Sequence, residues 1–444
     1  MAGRRPANAV TSRCTARAAV LATAVLLGAS CGGDSASGVT TLRLWGLGRE
    51  GEVVEMLVRD FERENPDIRV HVQQIPWTAA HEKLLTAHVG DASPDLAQLG
   101  NTWVPEFEAL GALEPLDAYV ASSGVVDAAG YFRGIWDTNV IDDTTYGIPW
   151  YVDTRLIFYR KDILADAGYD RPPGSWAEWR TAMERVKARV GPDRYAIYLP
   201  SNEWTQPVIL GLQAGSPLLK DDGQYGAFSD SAFRRAFEFY IGLYRSELAP
   251  ALGLNDVANV YQEFTRGLFA MWITGPWNIG ELKRRLPPEM EGKWGTAPLP
   301  GPTGDSSGVS LAGGASLVLF RSSQHKPEAW RLIEFLSRPE QQRRFYHLTG
   351  DLPARKEAWQ DSTLIGDEYV RAFWEQLQRV SPTPKVPEWE LIATKVFDYA
   401  EQSIRGGVPE AEVLRRLDAD VNRILEKRRW MVARERAERG AGAN

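Results

Sequence analysis

The sequence predicts an α/β protein of two domains, on three observations. The chain has 444 residues, which is too many for a single hydrophobic core. Strand and helix patterns alternate from residue 41 onward, which is typical of a parallel sheet covered by helices. In the stretch Tyr146–Asp162, Gly147 and Pro149 interrupt regular structure just before a buried strand over Leu156–Tyr159. Such a strand suits a chain that leaves one packed domain and enters another.

Residues 1–30 are predicted to be an export signal. Four arginines precede the apolar run Ala18–Gly28, which is too short to span a bilayer, and small residues follow it. The segment Leu27–Cys31 resembles a lipobox, in which the cysteine is acylated and becomes the mature N-terminus. Residues 31–40 would then be the lipidation cysteine and a flexible tether, rich in glycine and serine. A soluble secreted form is the alternative.

Cysteine use and charge exclude several kinds of protein. Cys14 lies in the signal and Cys31 would carry the anchor, so the mature chain has no cysteine pair for a disulfide. Removal of the four signal arginines takes the net charge from −7 to −11. An acidic body without a basic run argues against a nucleic-acid partner and against a polyanionic ligand.

The first half of the mature chain has the order of a parallel sheet with crossover helices. Its predicted elements are the strand Thr41–Trp45, the helix Glu52–Asn65, the strand Val70–Ile75, the helix His81–Val89 and the strand Asp95–Leu99. Arg49 and Glu50 lie where the first strand ends, which makes them ligand candidates or solvated loop charges.

A second α/β body is predicted over residues 162–300. Its elements are the helix Trp176–Arg189, the strand Tyr195–Leu199, the helix Ala232–Ser246 and the strand Phe269–Ile273. After a linker over Ala297–Gly308, the strand-like run Val309–Phe320 contains Gly313 and Gly314, which mark a close backbone approach or a bulge. We include both glycines in the predicted ligand site. The remainder, from Pro327 onward, is predicted to be mostly helical.

Aromatic rings and polar side chains recur together where predicted strands end. The pairings are Asn101 with Trp103, Trp150 and Tyr151 with Asp153, Glu203 with Trp204, and Trp277 with Asn278. A hexose has an apolar face of C–H groups and a rim of hydroxyls, so its site needs rings as platforms and planar polar groups as partners. A single tryptophan is more often part of a core than of a platform. Four pairings at strand ends, in a chain with 16 tryptophans, indicate sugar binding.

Catalytic and metal sites are less well supported. The sequence has no nucleophile elbow, phosphate loop or complete dinucleotide fingerprint, and the pair His81-Glu82 lacks the second histidine of a zinc site. No metal or cofactor is therefore expected. The alternative function is an exported glycoside hydrolase, with Asp153, Glu203 and Glu50 as candidate carboxylates, although no fixed spacing pairs them.

Six segments together resemble family 1 of the extracellular solute-binding proteins, the maltose- and trehalose-binding type. They are Leu42–Gly46, Pro94–Leu96, Gly111–Leu116, Tyr146–Pro149 with Phe158–Asp162, Ala270–Trp277 and Thr349–Arg355, and the likeness covers nearly all of residues 41–400. The resemblance implies a two-lobed periplasmic-binding-protein fold of type II, with three crossings near residues 150, 302 and 354 and a ligand cleft between the lobes. The first lobe would comprise 41–150 plus 302–354, and the second 151–301 plus 355–444.

The resemblance also implies the ligand residues. It assigns sugar contacts to Arg49, Glu50, Gln74, Asn101, Trp103, Asp153, Trp204, Trp277, Arg355 and Trp389. The pairings at strand ends add Trp150 and Glu203. We expect a receptor that captures an oligosaccharide, favouring an α-glucosyl disaccharide such as trehalose, maltose or sucrose, and not an enzyme. It would be an exported monomer on the periplasmic side or the cell surface, anchored to the membrane at Cys31, and would deliver sugar to an ABC permease with a cytoplasmic ATPase.

Overall fold

A computed structural model describes residues 38–304 and 308–442. Its strands are β1 (Thr40–Leu47), β2 (Ile68–Ile75), β3 (Leu96–Gly100), β4 (Val140–Ile141), β5 (Thr144–Thr145), β6 (Ile148–Asp153), β7 (Leu156–Arg160), β8 (Tyr195–Tyr198), β9 (Leu219–Lys220), β10 (Tyr225–Gly226), β11 (Phe269–Thr274), β12 (Trp294–Ala297), β13 (Ser310–Leu311), β14 (Gly313–Leu319), β15 (Leu352–Pro353) and β16 (Val380–Ser381). The predicted signal, Cys31 and most of the tether lie outside the described residues. The first strand already begins at Thr40, the last residue of the predicted tether.

The helices cover the sheets and fill most of the C-terminal region. They are α1 (Gly48–Glu64), α2 (Trp77–Val89), α3 (Val104–Ala109), α4 (Asp117–Ser122), α5 (Arg133–Asp137), α6 (Lys161–Asp166), α7 (Trp176–Val190), α8 (Thr205–Gln213), α9 (Ser231–Arg245), α10 (Val260–Arg266), α11 (Trp277–Arg285), α12 (Lys326–Ser337), α13 (Pro339–Thr349), α14 (Ser362–Ile365), α15 (Glu368–Leu377), α16 (Trp389–Ile404), α17 (Glu410–Ile424) and α18 (Glu426–Gly442). Short 3-10 turns lie at Asn101–Trp103, Ala128–Gly130, Pro288–Met290 and Lys356–Gln360.

The first sheet has six strands in the order β15-β6-β14-β3-β1-β2. Its opening strands β1, β2 and β3 are parallel, as the sequence pattern predicts. The sheet as a whole is mixed, because β14 runs antiparallel to both β3 and β6, and β15 runs antiparallel to β6. The carboxyl ends of β1, β2, β3 and β6 therefore meet the amino ends of β14 and β15 at one edge.

The second sheet has four strands in the order β12-β7-β11-β8. Strand β7 is antiparallel to both of its neighbours, and β11 is parallel to β8. Successive residues of β7 point to opposite faces of the sheet, and both faces pack in hydrophobic clusters under helices. Leu156 and Phe158 join one hydrophobic cluster, and Ile157 and Tyr159 join another. The carboxyl ends of β8, β11 and β12 lie at the same edge as the amino end of β7.

The chain passes from one sheet to the other at three places. Thr154 and Arg155 join β6 to β7, the segment 298–312 leads from β12 to β14, and the segment 354–367 leads from β15 to α15, which packs on β12. These connections match the three predicted crossings. The exact lobe boundaries, 41–150 with 302–354 and 151–301 with 355–444, stay a prediction.

Helix α1 begins earlier than predicted. The sequence pattern predicts a start at Glu52, but the helix begins at Gly48 and has Arg49 and Glu50 in its first turn. Two glycines permit this tight connection, since a Cβ on Gly46 would lie 2.5 Å from the Cα of Gly51. The early start brings the Glu50 carboxylate to the N-terminus of a long helix, where its charge is favourable.

Candidate functional site

Most of the predicted ligand residues gather at the strand ends of the two sheets. Arg49 and Glu50 follow β1, Gln74 lies near the end of β2, and the turn Asn101–Trp103 follows β3. Asp153 ends β6, beside Gly313 at the start of β14. In the second sheet, Glu203 follows β8 and Trp277 follows β11. A shared edge in each sheet is the arrangement that places ligands in an α/β protein.

Glu50 is the centre of the first group of polar contacts. The hydroxyl of Tyr151 donates to Glu50 Oε1 at 3.3 Å, and Trp77 Nε1 donates to Glu50 Oε2 at 3.4 Å. Gln98 Nε2 in turn donates to the Tyr151 hydroxyl at 3.0 Å. Burial raises the pKa of Glu50 above its ordinary value, against the lowering effect of these hydrogen bonds. Trp77 and Tyr151 thus supply rings and donors beside a partly desolvated carboxylate.

Asp351 is a site residue that the sequence analysis missed. It lies just before β15, at the edge that holds Glu50, and only 7% of it is exposed. Burial raises the pKa of Asp351 well above its ordinary value, and the negative charge of Glu50 adds to the effect. In the sequence analysis, the segment Thr349–Arg355 contributes to the family resemblance, a crossing and the candidate Arg355, but Asp351 is not selected. An acid in a segment that returns to this edge was the available signal.

Replacing Asp351 by asparagine is expected to stabilise the protein at neutral pH. An acid whose pKa is raised by folding favours the fold while protonated, so its contribution declines as the pH rises from about 4 through the folded-state pKa. The melting temperature of Asp351→Asn should therefore exceed that of the wild type at pH 7 and approach it near pH 4.

Asp361→Asn is the matched control for that prediction. The hydroxyl of Thr363 and its main-chain N–H both donate to Asp361, the N–H at 2.8 Å, and these contacts lower the pKa of Asp361, the hydroxyl most. Its replacement should lower the melting temperature at pH 7. A lower melting temperature for Asp351→Asn at pH 7 would contradict the assignment of Asp351 as a destabilising buried acid.

A second group of contacts surrounds Arg155, which the sequence analysis also missed. Its guanidinium forms an ion pair with Asp153, lies 3.6 Å from Glu203 Oε1, and lies 4.7 Å from the centre of the Trp277 ring. Burial raises the pKa of Asp153; Arg155 opposes this effect and Glu203 adds to it. Asp153 lies two residues after Tyr151 on β6, and its negative charge raises the pKa values of Glu50 and Asp351, so the two groups of contacts are neighbours.

A third set of contacts joins the 3-10 turn after β3 to helix α16. Thr102 Oγ1 donates to Glu390 Oε1 at 2.6 Å, and His81 Nε2 lies 2.6 Å from Glu106 Oε2. Trp103 packs edge-on against both Trp77 and His81, at 5.7 and 5.0 Å between ring centres. Trp103 thus packs in a ring cluster beside Trp77, and the Thr102–Glu390 bond ties the 3-10 turn to helix α16.

Replacing His81 by glutamine is expected to lower stability in acid but not in base. The hydrogen bond to Glu106 raises the pKa of His81, and the charge of Glu390 adds to the effect. A raised histidine pKa stabilises the fold fully below the unfolded value of about 6.5, and this contribution is lost as the pH rises through the folded-state pKa. The melting temperature of His81→Gln should be lower than that of the wild type at pH 5.5 and nearly equal at pH 9. An equal fall in melting temperature at both pH values would contradict this prediction. A similar fall at pH 5.5 in His71→Gln, where the replaced histidine is exposed, would also contradict it.

Several predicted ligand residues are placed elsewhere. Trp150 is 2% exposed and stacks on Phe345 at 4.3 Å between ring centres, so we correct its assignment as a platform. The physical reason is a bulge, because Ala315 pairs with Tyr151 and Ser316 with Pro149, leaving Trp150 as an extra residue.

Arg355 and Trp389 are likewise packing residues in this structure. Arg355 is 8% exposed; its guanidinium donates to the carbonyl of Val125 and lies 5.3 Å from the Tyr131 ring centre. Trp389 is 1% exposed, and its ring lies edge-on to that of Trp204, at 5.6 Å. Trp204 is only partly buried, so its ring has surface that a ligand can reach, whereas the ring of Trp389 does not.

Three of the predicted polar residues donate hydrogen bonds to main-chain carbonyls at the site. Gln74 Nε2 donates to the carbonyl of Gly48 at 2.7 Å, and Asn101 Nδ2 donates to that of Ala312 at 2.7 Å. Arg49 Nη2 donates to the carbonyl of Leu348 at 3.2 Å. Among the described residues, no cluster of histidine, cysteine and acidic side chains could hold a metal ion.

Residues 45–343 match the family of bacterial extracellular solute-binding proteins. This chain belongs to that family. The solved structure of the sugar-binding protein MalE from Xanthomonas citri is 52% identical, covering 89% of this chain and 99% of that one with a TM-score of 0.86. A solute-binding protein of an ABC transporter from Thermotoga lettingae, solved with α-D-tagatose, is 27% identical over 87% of this chain and 100% of that one, with a TM-score of 0.72. The diacetylchitobiose binding protein DasA of Streptomyces coelicolor is 25% identical over 89% of this chain and 95% of its own length.

These likenesses confirm the predicted family and the two-lobed α/β fold class of this solute-binding protein. The proteins named here are binding proteins, which gives no support to the glycoside hydrolase alternative. No helix in the described part of the chain is long and apolar enough to cross a membrane.

Proposed function

We propose that this solute-binding protein is the sugar receptor of an ABC importer, and that the cleft around Glu50, Asp153 and Asp351 binds an oligosaccharide. The observation that carries the proposal is the meeting of carboxylates and partly exposed rings from both sheets at one site. Glu50 and Trp77 belong to the first group, and Glu203 and Trp277 to the second. Carboxylates accept hydrogen bonds from sugar hydroxyls, and indole rings pack on the apolar face of a pyranose.

Closure of the two lobes is the proposed mechanism of capture. A sugar that contacts both groups favours the closed form, because only that form satisfies both sets of contacts. To turn a mostly open population into a mostly closed one, the sugar must prefer the closed form by about 5 kcal/mol. Hydrogen bonds to charged groups contribute roughly 1.5–3 kcal/mol each, so two or three of them with stacking suffice.

The finer parts of the proposal concern the sugar, the partners and the location. We propose an α-glucosyl disaccharide such as trehalose, maltose or sucrose as the cargo. The ligand residues retained are Arg49, Glu50, Gln74, Asn101, Trp103, Asp153, Glu203, Trp204, Trp277, Gly313 and Gly314, to which we add Asp351. The receptor would be an exported monomer, held at the membrane by acylated Cys31, and would hand its sugar to a permease with a cytoplasmic ATPase.

A thermal-shift screen of the mature protein against mono-, di- and trisaccharides tests the proposal. A ligand that binds the native state raises the melting temperature by an amount that grows with its affinity and excess. A rise with a disaccharide, and recovery of that disaccharide intact, supports the receptor. Release of monosaccharides would mean that the site is catalytic, and the absence of any shift across the panel would overturn sugar binding.

A further inference from the structure

Arg155 occupies a fixed position between the two sheets. It lies in the two-residue connection from β6 to β7, where its main-chain N–H donates to Ser310 Oγ at 3.2 Å. The same Ser310 hydroxyl donates to the carbonyl of Arg155 at 2.8 Å, and Ser310 is fully buried. The second connection between the sheets thus holds the backbone of the first, so that the side chain of Arg155 starts from a rigid point.

The side chain of Arg155 contacts three of the proposed sugar-binding residues. It pairs with Asp153, lies 3.6 Å from Glu203 Oε1 and lies over the ring of Trp277 at 4.7 Å. Only 13% of the arginine side chain is exposed, against 27% for Asp153 and 21% for Glu203. Thr205 Oγ1 and Gln206 Nε2 also donate to Glu203, at 2.8 and 2.9 Å. The guanidinium is therefore a built part of the site.

The charge balance of this cluster decides which groups a ligand can bring to it. With Arg155 in place, two carboxylates share one cation, and a ligand hydroxyl can donate to their remaining lone pairs. A ligand ammonium would lose part of its hydration in this poorly solvated site, and repulsion from the fixed guanidinium would offset part of its attraction to the two carboxylates. Without the guanidinium, two partly buried carboxylates would face each other unpaired, and a cationic ligand group would be favoured.

We propose that Arg155 is a specificity-determining residue, which lowers the affinity of the cleft for cationic sugars by offsetting one of the two negative charges of the Asp153–Glu203 pair. This inference rests on the proposed function. It adds a residue that the sequence analysis did not select and a physical cause for discrimination against cationic sugars.

Two substitutions of opposite sign test this role. Arg155→Met removes the cation while keeping an unbranched side chain, and Glu203→Gln removes one of the two acids. The probes are trehalose with trehalosamine, and maltose with its 2-amino derivative, in calorimetric titrations at about pH 6, where the amine is protonated. The quantity compared is the ratio of the two affinities within each pair, because a general loss of binding cancels in that ratio.

The wild type is expected to bind the uncharged sugar more tightly than its amine. In Arg155→Met the affinity for the amine, relative to that for the uncharged sugar, should rise by about tenfold or more. This is the effect of one hydrogen bond to a charged group. In Glu203→Gln the relative affinity for the amine should fall. Arg155→Lys, which keeps the positive charge, should retain the wild-type preference. Should Arg155→Met fail to fold, the Glu203→Gln and Arg155→Lys ratios still decide the matter.

Unchanged ratios in Arg155→Met and Glu203→Gln would overturn the inference and leave the proposed function intact. A wild-type protein that binds neither member of either pair, nor any sugar in the thermal-shift screen, would instead overturn the proposed function and the inference with it. The two failures are thus distinguished by the wild type alone.

Discussion

Replacing Trp277 by alanine is expected to weaken sugar binding about tenfold or more while the fold stays intact. The ring is partly exposed at the first turn of α11 and lies beside Arg155, so its loss removes both the proposed platform and one wall of the cation's site. Loss of a stacking surface and of its buried apolar area amounts to roughly 1.5–2 kcal/mol, which corresponds to about tenfold in affinity. Asp153→Ala should show a loss of the same order, because hydrogen bonds to a charged group contribute roughly 1.5–3 kcal/mol.

Calorimetric titration with the disaccharide that gives the largest thermal shift measures this loss. Trp430→Ala is the matched control, since Trp430 is 63% exposed on α18 and belongs to neither group of site contacts. It should bind sugar as the wild type does. If circular dichroism showed Trp277→Ala or Asp153→Ala to be unfolded at room temperature, the reduced affinity would not support a ligand role.

Replacing Gly314 by alanine is expected to destabilise the protein by about 3 kcal/mol or more. Gly314 has a φ of 142°, which side-chain-bearing residues rarely adopt, and a Cβ there would lie 2.3 Å from the carbonyl oxygen of Tyr151. The clash is with main chain in the middle of the six-stranded sheet, so no side chain can rotate to relieve it. The variant should also bind sugar less well, because β6 carries Tyr151 and Asp153 to the site.

Denaturant or thermal unfolding monitored by circular dichroism measures the change. Gly280→Ala is the control, because Gly280 lies within α11 and a Cβ there would meet nothing within 4 Å. This control should be neutral or slightly stabilising, since alanine favours a helix over glycine. A melting temperature for Gly314→Ala equal to that of the wild type would show that the strand can shift without loss, contrary to the prediction.

Much of the fold was predictable because its signals are local. The strands over Thr40–Leu47 and Phe269–Thr274 and the helix Trp176–Val190 follow from apolar periodicity within each segment, and the structure confirms them within a few residues. Element starts were less predictable. Helix α1 begins early because Gly46 and Gly51 approach each other, a contact that no periodicity encodes.

The candidate site could likewise be predicted only in part. The strand ends could be found from the sequence. Glu50, Asp153 and Trp277 were predicted with them, because these residues lie at strand ends and the carboxyl ends of parallel strands share an edge. Arg155 and Asp351 were not selected, because their importance depends on partners far away in sequence: Glu203 for Arg155 and Glu50 for Asp351. Trp150 was wrongly predicted for the converse reason, since only the folded chain brings Phe345 against its ring.

The sequence by itself therefore determined the α/β class, the order of the elements and the family of this solute-binding protein. The tertiary structure alone decided which rings stay exposed, which acids are buried and which cation pairs with them. The physical reason is that periodicity and turn chemistry act between near neighbours in the chain. Burial and charge pairing depend on contacts between segments hundreds of residues apart, such as Thr102 with Glu390.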